Sequence, residues 1–229
     1  MNLSGKLEIQ CLSGDFLIKD AGTYIAGKIT TKEEQGELGW SRYIEKISRE
    51  LINWRIPDQQ RYQKVQLCRH SGIREGQPYI KAFTGIDERV YNISISHCKD
   101  FVSVCTVNSG LPGIDIQNVR SVDRSVVERL FSKSDIDSIE KICAYDGNFH
   151  WNKAFAVLWT IKESCLKALG IGLKLGFNSV IVKDIDFSRN YIELFLDNKL
   201  IEAVCNMPDN IFVHISFESE FIITLTVFM

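Results

Sequence analysis

"GIDIQ", residues 113–117, decides how the second half of this chain is read. Side chains alternate along a strand, so Ile114 and Ile116 face one way and Asp115 and Gln117 the other. Apolar residues flank the carboxylate on both sides, which points to at least partial burial. An ionised carboxyl taken out of water alone is costly, so a strand that buries Asp115 has to bring it a partner.

The chain around that strand has 229 residues, enough for one large domain or two small ones. With 45% hydrophobic and 24% charged residues it has the composition of an ordinary globular protein with a sizeable core. A net charge of −2 gives no global basic field, so nucleic acid is not an expected partner. Basic residues can still gather locally around a phosphate-bearing ligand. Seven cysteines (11, 68, 98, 105, 143, 165 and 205) form no C-x-x-C pair and are odd in number, which supports neither a disulfide framework nor a zinc ribbon. The opening "MNLSGKLEIQ" lacks an apolar signal core, and no apolar run has membrane-spanning length. A soluble, cytoplasmic protein in a reducing compartment is expected, with no membrane partner.

Upstream of residue 113, "KLEIQCL" and "FLIKDAGTYIAGKI" read as strands. "TTKEEQGELGWSRYIEKISRELINW" reads as a long helix, opened by a Thr31–Glu34 capping box and carrying Leu38, Ile44, Ile47 and Leu51 on its apolar side. "KVQLCRHSGIREGQPYIKAF" is a strand and a turn at Gly76-Gln77-Pro78. "VYNISISH" and "FVSVCTV" alternate as strands. Downstream, residues 121–143 read as two short helices, the second capped by Ser132 or Ser134. "DGNFH" is a loop. Residues 151–169 carry the strongest helical pattern and stop at Gly170 and Gly172. From Ser179 onward "SVIVKDI", "YIELFL", "LIEAVC", "IFVHISF" and "FIITLTVF" all read as strands. Both halves mix helix with strand and join near residues 108–112. An α+β chain of two lobes is expected, spanning 1–109 and 110–229, with a ligand cleft between them.

On the helix at 151–169, Trp159, Glu163 and Lys167 are spaced i, i+4, i+8 and share a face. One reading makes Glu163 and Lys167 an exposed ion pair, and Trp159 a core residue. The other joins Glu163 to Asp115 around a divalent cation, since magnesium takes one or two carboxylates and completes its shell with water and substrate phosphates. Lys167 would then meet a phosphate oxygen as a point charge.

"GIDIQ", "FSKSD" at 131–135 and "WTIKESCLKALGIGL" at 159–173 together resemble the 4′-phosphopantetheinyl transferase superfamily. That family shows G-[IVT]-D-[IV]-E, F-[ST]-x-x-E and W-[ST]-x-K-E-[AS]-x-x-K-x-x-G-x-G in this order. "NISISH" (92–97) resembles its N-[IL]-S-H element with one residue more, and "EGQPYI" (75–80) its G-K-P segment. The helix containing "SRYIEKI" stands where the family has an arginine-bearing helix. Length and order place the resemblance in the Sfp-type branch.

The resemblance implies two pseudo-symmetric α+β lobes with coenzyme A between them. It implies transfer of 4′-phosphopantetheine from coenzyme A to a serine of an acyl or peptidyl carrier protein, with Mg²⁺ as cofactor and adenosine 3′,5′-bisphosphate released. Asp115 and Glu163 would hold the metal, Glu163 would take the serine proton, and Lys167 would offset pyrophosphate charge. Arg42, Gly76, Gln77, Pro78, Ser96, His97, Lys162 and Lys167 would contact coenzyme A. The branch is usually monomeric and serves secondary metabolism. Gln117 stands where the family commonly has a third acid, so it can ligate only weakly or through water, and weaker magnesium binding is expected. Gln77 stands where the family commonly has lysine; with that charge missing, either affinity for coenzyme A falls or Arg74 compensates. Arg120, Arg124 and Arg129 lie on "VRSVDRSVVERLF" and could steer an acidic carrier, or simply decorate a solvated helix. The alternative function is a non-catalytic relative that binds coenzyme A or a carrier.

Overall fold

The computed structural model describes residues 9–12, 15–18, 23–28, 37–53, 60–71, 76–85, 87–99, 101–107, 110–145, 150–172, 176–187, 191–204, 211–218 and 220–229. Side chains are described from residue 41 onward, Tyr191 excepted. The Thr31–Glu34 capping box, Arg74 and most of "DGNFH" lie outside these residues.

The first half holds β1 (Ile9–Leu12), β2 (Asp15–Ile18), β3 (Thr23–Lys28), α1 (Glu37–Asn53), β4 (Lys64–Arg69), β5 (Pro78–Thr84), β6 (Asp87–Cys98) and β7 (Phe101–Thr106). β1 and β2 pair as a ribbon, and the rest form an antiparallel sheet in the order β3-β7-β6-β5-β4. Ile44, Ile47 and Leu51 recur at helical spacing, so one face of α1 is apolar; it buries against Val65, Ile80, Ile93, Val102 and Val104 of the sheet.

The second half holds β8 (Leu111–Asn118), α2 (Arg124–Leu130), α3 (Lys133–Tyr145), α4 (Trp151–Leu169), β9 (Val180–Asp186), β10 (Tyr191–Leu196), α5 (Asn198–Ala203), β11 (Ile211–Glu218) and β12 (Phe221–Phe228). β11-β12-β8 is an antiparallel sheet, and β9 and β10 pair separately. The fold is α+β, and each half sets a long helix on an antiparallel sheet. Ser132, not Ser134, opens α3: its Oγ accepts the Asp135 N–H at 3.2 Å, and Asp135 Oδ2 accepts the Ser132 N–H at 3.0 Å. "LIEAVC" is not a strand. Residues 198–203 are helical because Asp197 caps them, accepting the Leu200 N–H at 2.7 Å, and Leu200 is buried. A short apolar run fits strand and helix alike, and the cap decides between them. Among the described residues no helix is long and apolar enough to cross a membrane.

Two seams position the centre of the molecule. The first lies between α4 and the sheet beneath it. Thr160 and Ser164, one turn apart, hydrogen-bond Thr224 and Thr226 of β12, each at 2.7 Å. In the strand register Thr224 stands opposite Asp115 and Thr226 opposite Gly113. A Cβ on Gly113 would overlap the Ser164 carbonyl oxygen and crowd the Ala168 backbone, so only glycine lets α4 come this close. The second seam joins the halves. β6 and β8 run side by side in the same direction, yet they belong to different sheets. The N–H groups of Ile114, Ile116 and Asn118 are accepted by Ser94 Oγ (3.0 Å), Ser96 Oγ (3.3 Å) and Cys98 Sγ (3.3 Å). Side chains at every second residue of β6 thus stand in for backbone carbonyls and satisfy buried donors that would otherwise be costly. Cys105 and Val107 pack with Ile114, Ile116, Ile223, Leu225 and Val227 in one cluster, so the halves share a core.

Gly113→Ala is expected to lower stability by about 1–3 kcal/mol in urea unfolding, because the added methyl has no space and α4 must lift from β8. A loss under roughly 0.5 kcal/mol would show that the helix does not sit that close.

Candidate active site

Asp115 is 5% exposed. Its Oδ1 accepts Lys167 Nζ at 2.6 Å and Ser96 Oγ at 2.7 Å. Lys167 Nζ also donates to Ser96 Oγ at 2.8 Å and to the Ile114 carbonyl at 3.2 Å, so its three donors all have acceptors here. The partner demanded by the buried carboxylate is therefore an ammonium from one helix and a hydroxyl from the other half's sheet. Ser96 is the hub, accepting from Lys167 and from Ile116 N–H while donating to Asp115. Asp115 Oδ2 is buried with no hydrogen-bond partner among the described residues.

Glu163 lies one turn before Lys167 on α4 and does not pair with it. Among the described residues it makes no hydrogen bond or ion pair. Burial raises its carboxyl pKa, and the Asp115 charge raises it further, while Lys167 opposes both. Burial likewise raises Asp115, against the pull of Lys167 and Ser96. The Asp115 charge acts on Glu163, so the two carboxyls lie within electrostatic reach. Gln117 follows Asp115 on the same side of β8, half-buried.

Among the described residues no three His, Cys, Asp or Glu side chains group as a metal cage. A cation between Asp115 and Glu163 would have two carboxylates as its protein anions. That oxygen-only set suits magnesium, which keeps waters and substrate phosphates in its shell, and does not suit zinc. The unpartnered Oδ2 of Asp115 is the atom such an ion would complete, and the amide of Gln117 is the neighbouring oxygen.

The other expected ligand contacts divide. Ser96 joins the cluster, but as a partner of Asp115. Gln77 turns inward: it is buried, and its Nε2 donates to the Lys167 and Ala168 carbonyls at 3.2 and 3.4 Å. It is a contact at the end of α4. Gly76, at φ +83°, closes the turn, with its N–H on the His70 carbonyl and its own carbonyl on Arg69. Pro78 starts β5. His97 is exposed and alternates with Ser96, so it faces away from Asp115. Arg42 is exposed on α1.

Lys162 lies inside the second half of the chain. Its side chain is fully buried, donating to Asp135 Oδ2 at 2.7 Å and the Phe177 carbonyl at 3.1 Å, over the Phe131 ring. Phe131, Phe155, Trp159 and Phe177 stack around this pair, which makes Trp159 a core residue. Sequence reasoning missed Asp135 as its partner, although "FSKSD" contains it. It also missed Ser94 and Cys98, whose signal was the period of two small polar residues in "NISISHC".

A model of the "4'-phosphopantetheinyl transferase superfamily" matches residues 112–224. A 4′-phosphopantetheinyl transferase of Bacillus subtilis is 32% identical over 127 residues, 54% of this chain and 51% of that protein. The 4′-phosphopantetheinyl transferase gsp of Aneurinibacillus migulanus is 29% identical over 121 residues, 53% and 46% of the two chains. The 4′-phosphopantetheinyl transferase Sfp of Bacillus subtilis strain 168 is 33% identical over 95 residues, 40% of this chain and 39% of that one. Through β8, α4 and the elements between and after them, the chain is similar to the 4′-phosphopantetheinyl transferase superfamily. Its similarity to the Sfp-like relatives spans about half of their length or less.

Two outcomes follow from the electrostatics. Lys162→Met leaves Asp135 buried and uncompensated, and is expected to cost about 3–5 kcal/mol in urea unfolding; a cost below roughly 1 kcal/mol would contradict a sealed pair. Glu163→Gln acts oppositely. A carboxyl whose folded pKa is raised binds its proton more tightly folded than unfolded, so it costs stability as pH rises above the ordinary value of 4.5. In chelator-treated buffer at pH 7 the variant should melt higher than wild type, by about 2–4 °C for each kcal/mol relieved, and match it near pH 3. A variant less stable at pH 7 would refute the assignment.

Proposed function

We propose that this chain transfers 4′-phosphopantetheine from coenzyme A to a serine of an acyl or peptidyl carrier protein, with Mg²⁺ as cofactor and adenosine 3′,5′-bisphosphate as by-product. The observation that carries this reading is the division of Asp115: Oδ1 is committed to Lys167 and Ser96, Oδ2 has no hydrogen-bond partner among the described residues, and Glu163, whose carboxyl pKa is raised by the Asp115 charge, makes no hydrogen bond or ion pair among them. Magnesium held there would neutralise charge developing on the pyrophosphate oxygens.

The remaining roles belong to the chain. Phosphoryl transfer needs mainly positioning and electrostatic support. The carrier serine oxygen forms a bond to the phosphorus nearer the pantetheine. The bond from that phosphorus to the bridging oxygen breaks, and the nucleotide leaves with it. Glu163 takes the serine proton, a role favoured by a carboxyl pKa raised toward the working pH. Lys167 keeps Asp115 ionised and sets a positive charge beside the departing phosphate. Coenzyme A lies along the seam between a lobe of residues 1–109 and one of 110–229, with His97, Arg42 and the Gly76–Pro78 turn on its nucleotide side. The carrier docks beside 119–131, where Arg120 is exposed; Arg124 is already tied to Glu128 and Glu140. Carriers of secondary metabolism are the substrates we favour, and a monomer is the expected working form.

Incubating the protein with coenzyme A, Mg²⁺ and several acidic carriers should add one phosphopantetheine to the carrier by mass spectrometry. Glu163→Gln should lower kcat by about 10²–10⁴-fold with the fold intact. Unmodified carriers across the set, with coenzyme A still bound, would instead identify a non-catalytic binder.

A further inference from the structure

The C-terminus of α4 ends in a Schellman turn. Ile171 N–H bonds the Leu166 carbonyl at 3.2 Å and Gly170 N–H the Lys167 carbonyl at 3.1 Å, with Gly170 left-handed at φ +72°. This closure serves Leu166 and Lys167 but leaves the Ala168 carbonyl without a backbone donor among the described residues. Ala168 is fully buried, so water does not reach it. Gln77 supplies the donor. Its Nε2 lies 3.4 Å from the Ala168 carbonyl and 3.2 Å from that of Lys167, and its Oε1 packs so closely on Gly170 that a Cβ there would collide with it.

Lys167 is consequently held at both ends by the first half of the chain. Ser96 on β6 takes its ammonium, and Gln77, beside the turn that leads into β5, takes its carbonyl. We infer that Gln77 is a positioning residue, which fixes the last turn of α4 against the first half and so sets where the Lys167 ammonium meets Asp115. Its effect on catalysis rests on the transferase reading above; the mechanical link stands on its own contacts. The Gln77 amide is buried against the helix end, which gives it a role in holding α4. Lysine at this position would keep the link, because an ammonium can donate to the same two carbonyls and is favoured at the negative end of a helix.

The test compares wild type, Gln77→Met, which matches the length but cannot donate, and Gln77→Lys. Two readouts are needed: carrier modification, resolved into kcat and KM for coenzyme A, and hydrogen exchange of the Gly170 and Ile171 amides without ligand. Gln77→Met should stay folded, exchange those amides faster by about tenfold, and lose kcat by about tenfold while KM for coenzyme A stays within roughly twofold. Gln77→Lys should recover most of the kcat. A raised KM with unchanged kcat would overturn the proposal and make Gln77 a nucleotide contact. Unchanged exchange in Gln77→Met would overturn it whatever the activity. Should wild type transfer nothing while Gln77→Met still loosens the helix end, the link stands and the transferase reading falls.

Discussion

The ion pair between Lys167 and Asp115 is the interaction on which the centre of this molecule depends. Removing both charges from water costs several kcal/mol each, and the attraction between them offsets that only with good geometry and satisfied lone pairs. The chain supplies both. Gly113 lets α4 touch β8, the Thr160–Thr224 and Ser164–Thr226 bonds fix the helix along the sheet, and Ser96 fills the remaining site on Asp115 Oδ1. Shifting β8 by one residue would turn Asp115 away from α4 and Ile114 or Ile116 toward it. The hydroxyl seam and the side-chain ladder from β6 both work against such a slip.

α4 carries a second buried pair, five residues earlier, and the contrast separates structure from function. Lys162–Asp135 and Lys167–Asp115 have similar contact distances, 2.7 and 2.6 Å, and each carboxylate keeps one unpartnered oxygen. Lys162 and Asp135 are sealed by aromatic rings with no exposure at all, so nothing can reach the spare oxygen. Lys167 is about a quarter exposed, and Glu163 lies within electrostatic reach of its carboxylate. The partial exposure of Lys167 and the charge of a second carboxyl, not the salt bridge itself, set the Asp115 side apart.

Much of this was legible in the sequence. Alternation around Asp115 announced a buried charge, and the i, i+4 spacing on α4 brought Glu163 and Lys167 to one face. The order of three motifs announced the family. The partner of Asp115 was not legible, because spacing along α4 says nothing of which residues of β8 it overlies; that depends on Gly113, whose missing side chain leaves no pattern. Lys162 reads like any amphipathic lysine until Asp135, brought in from another helix, neutralises it. Gln77 looked like a lost charge because its partners are backbone carbonyls ninety residues away, which no side-chain motif encodes. "LIEAVC" misled for a local reason, since one aspartate cap outweighed a short apolar run.

Anomalous diffraction from crystals grown with Mn²⁺ and coenzyme A tests the central claim most directly. A single metal peak is expected in contact with Asp115 Oδ2 and the Glu163 carboxylate, with Lys167 still on Oδ1. A peak that leaves either carboxylate out, or a lysine displaced from Oδ1 by the metal, would contradict it.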